Sequence, residues 1–542
     1  MDLENERGIF IVTVFRSILM KLIYNDKYSI IESNMYDSNV GARRKKNIRN
    51  PIFVINGIIF DVLSSKKKKA IDIQIMDYKQ CFDSMWLEET MNDMFEAGVV
   101  DDQLALIYEA NRKVKVAVKT PNGLSDRKTL NEIILQGDVF GPIECSVSVD
   151  TFGKECLEEG KHLYLYKGEV EIPILTMVDD ALSISECGYK TNMMNAFINA
   201  KTNMKKLQYG VKKCFKMHVG KTCVKEICPD LYVDGWKLKE VSEVEAGQGK
   251  IEDDYDGQYE MKEVNHEKYL GDILSNDGKN VKNIAARKNR GHGTISQIMS
   301  MLDDICFGKF YFEVAIILRD TLLISSLLTN AEAWYNLTLS DIRELESIDE
   351  TLLRRILECP VSTPREMLYL DLGVIPIRYI IMMRRLNFLK YILLEDKNSL
   401  IHKFLKSQLS QPTFNDWGQT VVNDVQKLER KLDVSDVENL PVATYQRLVK
   451  ESVVKLALNY LNGLKLKENQ QTSKTSHIQH KKIEMARYLT PNHISIKEAK
   501  FLFTLRSRLL DVTITGVNIV MSCAHVVNRR MTLSSIYWCA VV

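Results

Sequence analysis

No apolar run in this chain reaches the roughly 18 residues that a membrane-spanning helix requires. The nearest approach, residues 314–328, is interrupted by Arg319 and Asp320. Neither sign of charge dominates: 73 Lys and Arg against 71 Asp and Glu leave a net +2. The molecule as a whole therefore announces no polyanionic partner, and any nucleic-acid surface has to be built from local basic clusters. Such clusters lie at 43–46, 66–69, 201–221 and 287–290, although lysine runs are ordinarily solvated faces. The 11 cysteines form no even framework. Cys223 and Cys228 stand too isolated for zinc ligands, so the set reads as reduced thiols. No apolar leader follows Met1, and no repeat of solenoid period is present. These absences point to a soluble nuclear or cytoplasmic protein with no membrane partner. At 542 residues and 45% hydrophobic composition, it has core material for about three or four domains.

The stretch that carries chemistry is Thr176-Met177-Val178-Asp179-Asp180-Ala181-Leu182-Ser183-Ile184. Two adjacent carboxylates between apolar, β-prone runs predict a hairpin with Asp179 and Asp180 at its tip. Two such charges repel unless a cation neutralises them, and divalent metals do so through oxygen ligands. Upstream, residues 71–77 alternate as a strand that ends in Asp77. Two strands delivering carboxylates to one place would suit two-metal phosphoryl transfer, in which the ions clamp attacking and leaving oxygens. Taken alone, an Asp-Asp pair is more often solvated decoration on a turn.

Further segments follow a definite order. Asp77-Tyr78-Lys79-Gln80-Cys81-Phe82-Asp83 comes first, then Gln136-Gly137-Asp138-Val139-Phe140-Gly141-Pro142. The Met177–Asp180 stretch, Lys212-Lys213-Cys214 and Tyr269-Leu270-Gly271 complete the series. In this order they resemble motifs A to E of the reverse transcriptase of a non-LTR (LINE-like) retrotransposon, truncated so that no endonuclease region is present. The resemblance covers about residues 7–510 and is strongest over 77–271. It implies an α+β right-hand polymerase, with fingers, a palm built on an antiparallel sheet and a helical thumb, followed by an α-helical C-terminal region. The implied divisions are a fingers segment at 1–70 and a palm at 71–265 with inserted fingers near 100–135. A primer-grip hairpin and thumb follow at 266–395, then a helical region at 396–512 with a linker at 465–482.

The implied activity is RNA-directed DNA synthesis on an RNA template from a DNA primer and dNTPs. The resemblance gives Asp77, Asp179 and Asp180 two Mg²⁺ ions, with Mn²⁺ as the alternative. It makes Lys213 the general acid that protonates departing pyrophosphate. Arg43 would meet the incoming triphosphate, since its planar fork pairs bidentately with phosphate oxygens. Phe82 would fill the space of a 2′-hydroxyl, Gln136 and Gly137 would shape the nucleotide pocket, and Tyr269, Leu270 and Gly271 would grip the primer. Without the resemblance, Arg43 is equally an arginine in a polar loop, Phe82 a core residue beside Trp86, and Lys213 a surface lysine. Asp83 reads as the cap of a helix over 84–97.

The sequence departs from the family in two places near the site: Gly141-Pro142 replaces Ser-Pro, and Met177-Val178 replaces Tyr-Ala. From residue 513 the family character ends. Read one nucleotide earlier, the codons for residues 522–527 permit Cys-Pro-Cys, and those for 535–540 permit His-(Ile/Leu)-Leu-Val-Cys. The tail is thus expected to be a frameshifted zinc knuckle, which incompatible codons in the transcript would exclude. Two rivals remain: a catalytically inactive retroelement remnant that only binds nucleic acid, and a helical scaffold, which leaves the Asp179-Asp180 hairpin unexplained. Oligomeric state is not legible.

Overall fold

The strand that ends in Asp77 lies inside the sheet, hydrogen-bonded on both sides. In a computed structural model, the described residues are 10–65, 69–78, 81–121, 123–131, 134–158, 164–186, 188–205, 207–221, 231–238, 253–304, 310–464, 480–490 and 495–507. Most of the lysine run at 66–69, Cys223 and Cys228, part of the acidic stretch 243–260, most of the expected linker 465–482 and the tail 513–542 lie outside them. Two compact units divide the chain. The first takes Met1–Lys279, Ala333–Asn336 and Glu395–Gln419; the second takes Asn280–Glu332, Leu337–Leu394 and Thr420–Val542. The architecture mixes helices and strands.

The first unit is built on a five-stranded sheet. Its spatial order is Lys262–Glu263, Phe215–Gly220, Ala70–Asp77 (β1), Asp180–Glu186 and Leu175–Met177, antiparallel except for the first pair. Alternation in β1 predicts one apolar and one solvated face. Instead both faces are buried: Ile71 and Ile73 on one, Asp72 and Gln74 on the other. The polar face is closed to solvent and only partly paired: Gln74 Nε2 and the hydroxyls of Ser183 and Ser185 on the facing strand have no partner among the described residues. Thr191 Oγ1 donates to Asp72 at 3.0 Å, His218 Nδ1 lies 2.9 Å from its other oxygen, and Asn195 Nδ2 donates to Gln74 Oε1 at 3.0 Å. The bonds from Thr191 and Asn195 fasten the Tyr189–Met204 helix to the sheet, as buried polar groups need partners.

A helix at Arg49–Ser64 (α2) is apolar on nearly every side, as a fully enclosed helix must be; Ile52, Phe53, Val54, Ile55 and Ile58 have no exposure. Phe53 packs edge-on against Phe404 and Trp417, with ring centroids 5.4 and 4.9 Å away. Gln408 Nε2 donates to the Tyr335 hydroxyl at 2.7 Å, so the polar tip of this aromatic cluster is paired.

A local boundary differs from expectation. The helix expected over 84–97 begins only at Leu87, with Trp86 as its N-cap, after a separate short helix at Cys81–Ser84; the Asp83 side chain lies outside what is described. Val211–Lys213 forms a tight 3-10 turn, and the strand after it begins at Phe215. The helix after Gln136-Gly137 begins at Gly141.

The second unit is helical among its described residues, with Val281–Asp304, Leu339–Leu357, Ile377–Leu394 and Val442–Leu464 as its longest elements. Thr338 starts one of them through a reciprocal capping box with Asp341. Arg319, fully buried at a π-helical turn, forms a bidentate pair with Asp349 at 2.7 Å. Asp371 holds residues from the 480–507 segment: Tyr488 donates to it at 2.5 Å and His480 Nε2 lies 3.2 Å away. Among the described residues, no helix is long and apolar enough to cross a membrane.

Candidate active site

Asp77 ends β1 directly opposite Asp180 in the antiparallel ladder. Residues opposed in this way project from the same face, with β-carbons about 4.5–5.5 Å apart. Two carboxylates remote in sequence therefore share one rung. Asp180 also pairs with Met177 across the hairpin, which leaves Val178 and Asp179 as a two-residue turn. The tip is thus one residue earlier than expected: Asp179 is in the turn, and Asp180 is the first residue of the returning strand.

Val178 has φ +58°, whereas Asp179 is not left-handed. Positive φ at the first central position alone is the pattern of a type II′ turn, where glycine is preferred. A β-branched residue there costs on the order of 1–3 kcal/mol and persists only when its surroundings over-determine it.

Two further segments close on the carboxylates. Gly210 N donates to the Asp77 carbonyl at 2.8 Å, and a β-carbon at Gly210 would stand 2.8 Å from Asp77 Oδ2. Only glycine allows that approach, and the 3-10 turn that follows brings Lys213 Nζ to 3.3 Å from Asp77 Oδ2. Lys213 is more than half exposed. Tyr269, Leu270 and Gly271 form the hairpin the sequence suggests: His266–Tyr269 pairs with Asp272–Ser275, and Leu270 and Gly271 both have positive φ. Tyr269 is fully buried, and its phenol is pushed up by burial and then by the Asp180 charge. Among the described residues its hydroxyl has no hydrogen-bond partner. Trp334 Nε1 donates to Asp272 at 3.1 Å and anchors the hairpin from behind.

The fit to a divalent ion is partial. The donors are hard carboxylate oxygens, as magnesium prefers, and the orphaned Tyr269 hydroxyl beside Asp180 marks a place where water or an ion's hydration shell could pair. Yet among the described residues no three His, Cys, Asp or Glu side chains converge closely enough to hold a metal as they stand. At Asp77, the lysine ammonium supplies the positive charge.

Arg43 is placed differently from the expectation. Its guanidinium pairs with Glu32 at 2.7 and 3.0 Å and donates to the carbonyls of Tyr36 and Asn39 at 2.5 and 2.7 Å. With its side chain 4% exposed and every nitrogen engaged, it clamps Glu32 and the backbone at Tyr36 and Asn39 together. The sequence missed this because Glu32 is an unremarkable acid on a helix of its own. Phe82 is half-buried and packs on the same core cluster that supports Val178 and Ala181.

Gln136 and Gly137 form a turn before the Gly141–Glu158 helix, with Gly137 exposed. The Gln136 carbonyl accepts from Phe10 N at 2.9 Å. Beneath the turn, Arg16 bonds Asp138 and Asn111 at 2.5 Å each, and Asn111 donates to Glu144 at 2.8 Å. Burial, with the Asp138 charge behind it, raises the Glu144 carboxyl to about 8, and burial raises Asp150 on the same helix to about 7. The folded state keeps protons that the unfolded chain releases near 4, so stability is greatest below that pH. It then falls as pH rises, until each group ionises in the folded state as well. Each group contributes a slope of about 1.4 kcal/mol per pH unit within its window. Urea midpoints measured from about pH 5 to 8 should therefore decline, and Glu144→Gln should flatten the decline; an unchanged slope refutes the assignment.

Neither a family model nor a curated protein sequence matches the chain significantly. Among solved structures it is similar to telomerase from Candida tropicalis in complex with a TWJ fragment of telomeric RNA, at 11% identity and TM-score 0.35, over 80% of this chain and 56% of that one. Apo telomerase from Candida tropicalis gives 12% identity and TM-score 0.33, over 74% and 61%. Telomerase from Candida albicans with the same RNA fragment gives 12% and 0.31, over 79% and 56%. The chain thus spans less than two thirds of these neighbours. All three TM-scores lie below the level that marks a shared fold, so the functional reading rests on the residues themselves.

Proposed function

We propose that the chain is an RNA-directed DNA polymerase of the non-LTR retrotransposon type, extending a primer 3′-hydroxyl with dNTPs. The observation that carries this is the pairing of Asp77 with Asp180 on one rung, with Asp179 in the adjoining turn. Two Mg²⁺ or Mn²⁺ ions held by these three carboxylates would acidify the primer hydroxyl and neutralise the departing pyrophosphate. The chain's own groups do the rest. Lys213, already beside Asp77, donates a proton to the leaving group. Phe82 fills the space of a 2′-hydroxyl, and Gln136 and Gly137 bound the nucleotide pocket. The Tyr269–Gly271 turn, held near Asp180, supports the primer end. Arg43 has no part in triphosphate binding.

A second reading, an inactive remnant that only binds nucleic acid, draws on the Lys213–Asp77 pair and the absence of a gathered three-ligand cluster among the described residues. Primer extension on an RNA template separates the two. The purified protein should extend only with divalent metal, and Asp179→Asn should lower the rate by about 10²-fold or more. Template binding without extension in either protein supports the remnant.

A further inference from the structure

Residues 38–41 run along the outer edge of the Leu175–Met177 strand. Asn39 bridges Thr176 in parallel. Val40 N donates to the Thr176 carbonyl at 3.0 Å, and Thr176 N donates to the Ser38 carbonyl at 3.2 Å. The Asn39 side chain locks the segment from below: its Nδ2 donates to the Ser146 carbonyl at 2.8 Å, and its Oδ1 accepts from Gly41 N at 3.0 Å. Ser146 Oγ lies 3.1 Å from Asn39 Oδ1 and 2.8 Å from the Gly41 carbonyl. Arg43 pins the same backbone through the carbonyls of Tyr36 and Asn39. The segment ends against the Val178–Asp179 turn. A β-carbon at Gly41 would stand 2.5 Å from Val178 N and 3.0 Å from Val178 Cγ2.

We infer that residues 38–41 are a strap that sets the position of the Val178–Asp179 turn, with Gly41 as its positioning residue. Val178 sits in a conformation that valine avoids, and such strain survives only where neighbouring structure enforces it. The strap brings backbone at Gly41 against that residue. Any side chain at Gly41 pushes the turn outward and carries Asp179 with it. The consequence for catalysis rests on the polymerase reading; the consequence for the turn does not.

The test uses full-length Gly41→Ala with two readouts. In primer extension, kcat should fall about 10²-fold, since displacements near 1 Å carry such costs, and half-saturating Mg²⁺ should rise. KM for dNTP should change less than about twofold. In hydrogen-exchange mass spectrometry, amide exchange should quicken in peptides covering 38–41 and 176–181 and nowhere else. Gly41→Ala combined with Val178→Gly should recover about tenfold in kcat, because the turn can then recede. If Gly41→Ala does not fold, Ser146→Ala, which removes bonds but adds no bulk, should show the same local exchange. Wild-type exchange over 176–181 in the folded variant overturns the strap, as does a loss of kcat that Val178→Gly fails to relieve. A wild-type protein that never extends a primer counts against the polymerase reading, and the exchange experiment still decides the strap.

Discussion

Asp77→Asn should abolish metal-dependent primer extension while leaving the fold and template binding intact. Asparagine matches aspartate in shape, so the ladder pairing with Asp180 and the Gly210 N–H bond to the Asp77 carbonyl survive. What is lost is one of two opposed negative charges. Charge stabilisation by metal is worth several kcal/mol in reactions of this kind, and about 4 kcal/mol corresponds to roughly 10³-fold in rate. The same change frees Lys213 from its partner at 3.3 Å. That pair is more than half exposed on the lysine side, so its loss should move stability by less than about 1 kcal/mol. Single-turnover extension and thermal melting, measured side by side, check both halves. Extension within tenfold of wild type would remove Asp77 from the reaction.

Arg43→Ala should act on stability rather than on nucleotide affinity. The substitution strips Glu32 of its ion pair and two backbone carbonyls of their donors, in a place where the arginine is almost wholly enclosed. Removing one member of an enclosed pair can cost 3–5 kcal/mol, but Glu32 is partly exposed and can rehydrate, so about 2–3 kcal/mol is expected. Arg43→Lys keeps the charge but loses the fork and should recover only part of this. Denaturant unfolding gives the stability change, and steady-state extension gives KM for dNTP, expected within about twofold of wild type. A tenfold rise in KM at unchanged stability would return Arg43 to the triphosphate.

Much of the local structure was legible from residue order. The alternation ending at Asp77 and the apolar flanks of Asp179-Asp180 lie where short-range pattern places them, and the Leu270-Gly271 turn lies where the resemblance implies a hairpin. Pro376 and Pro441 stand directly before the helices Ile377–Leu394 and Val442–Leu464, where a proline costs a helix no hydrogen bond. Lys213 was legible as a cation near the site but not as part of a 3-10 turn, because three residues carry no periodicity. Gly210 was visible only as a glycine; nothing local says that a carboxylate lies where its β-carbon would be.

Order along the polymer therefore settled which segments alternate and which turn, since strand alternation and turn chemistry act over a few residues. Tertiary contact settled which polar groups are enclosed and by what. It hid Asp72 and Gln74 beneath the Tyr189–Met204 helix, turned Arg43 inward to Glu32, and set Gly41 against a strained valine. Each of these pairings joins residues distant in the chain, and the electrostatics and close packing that choose between partners exist only once the chain has closed on itself.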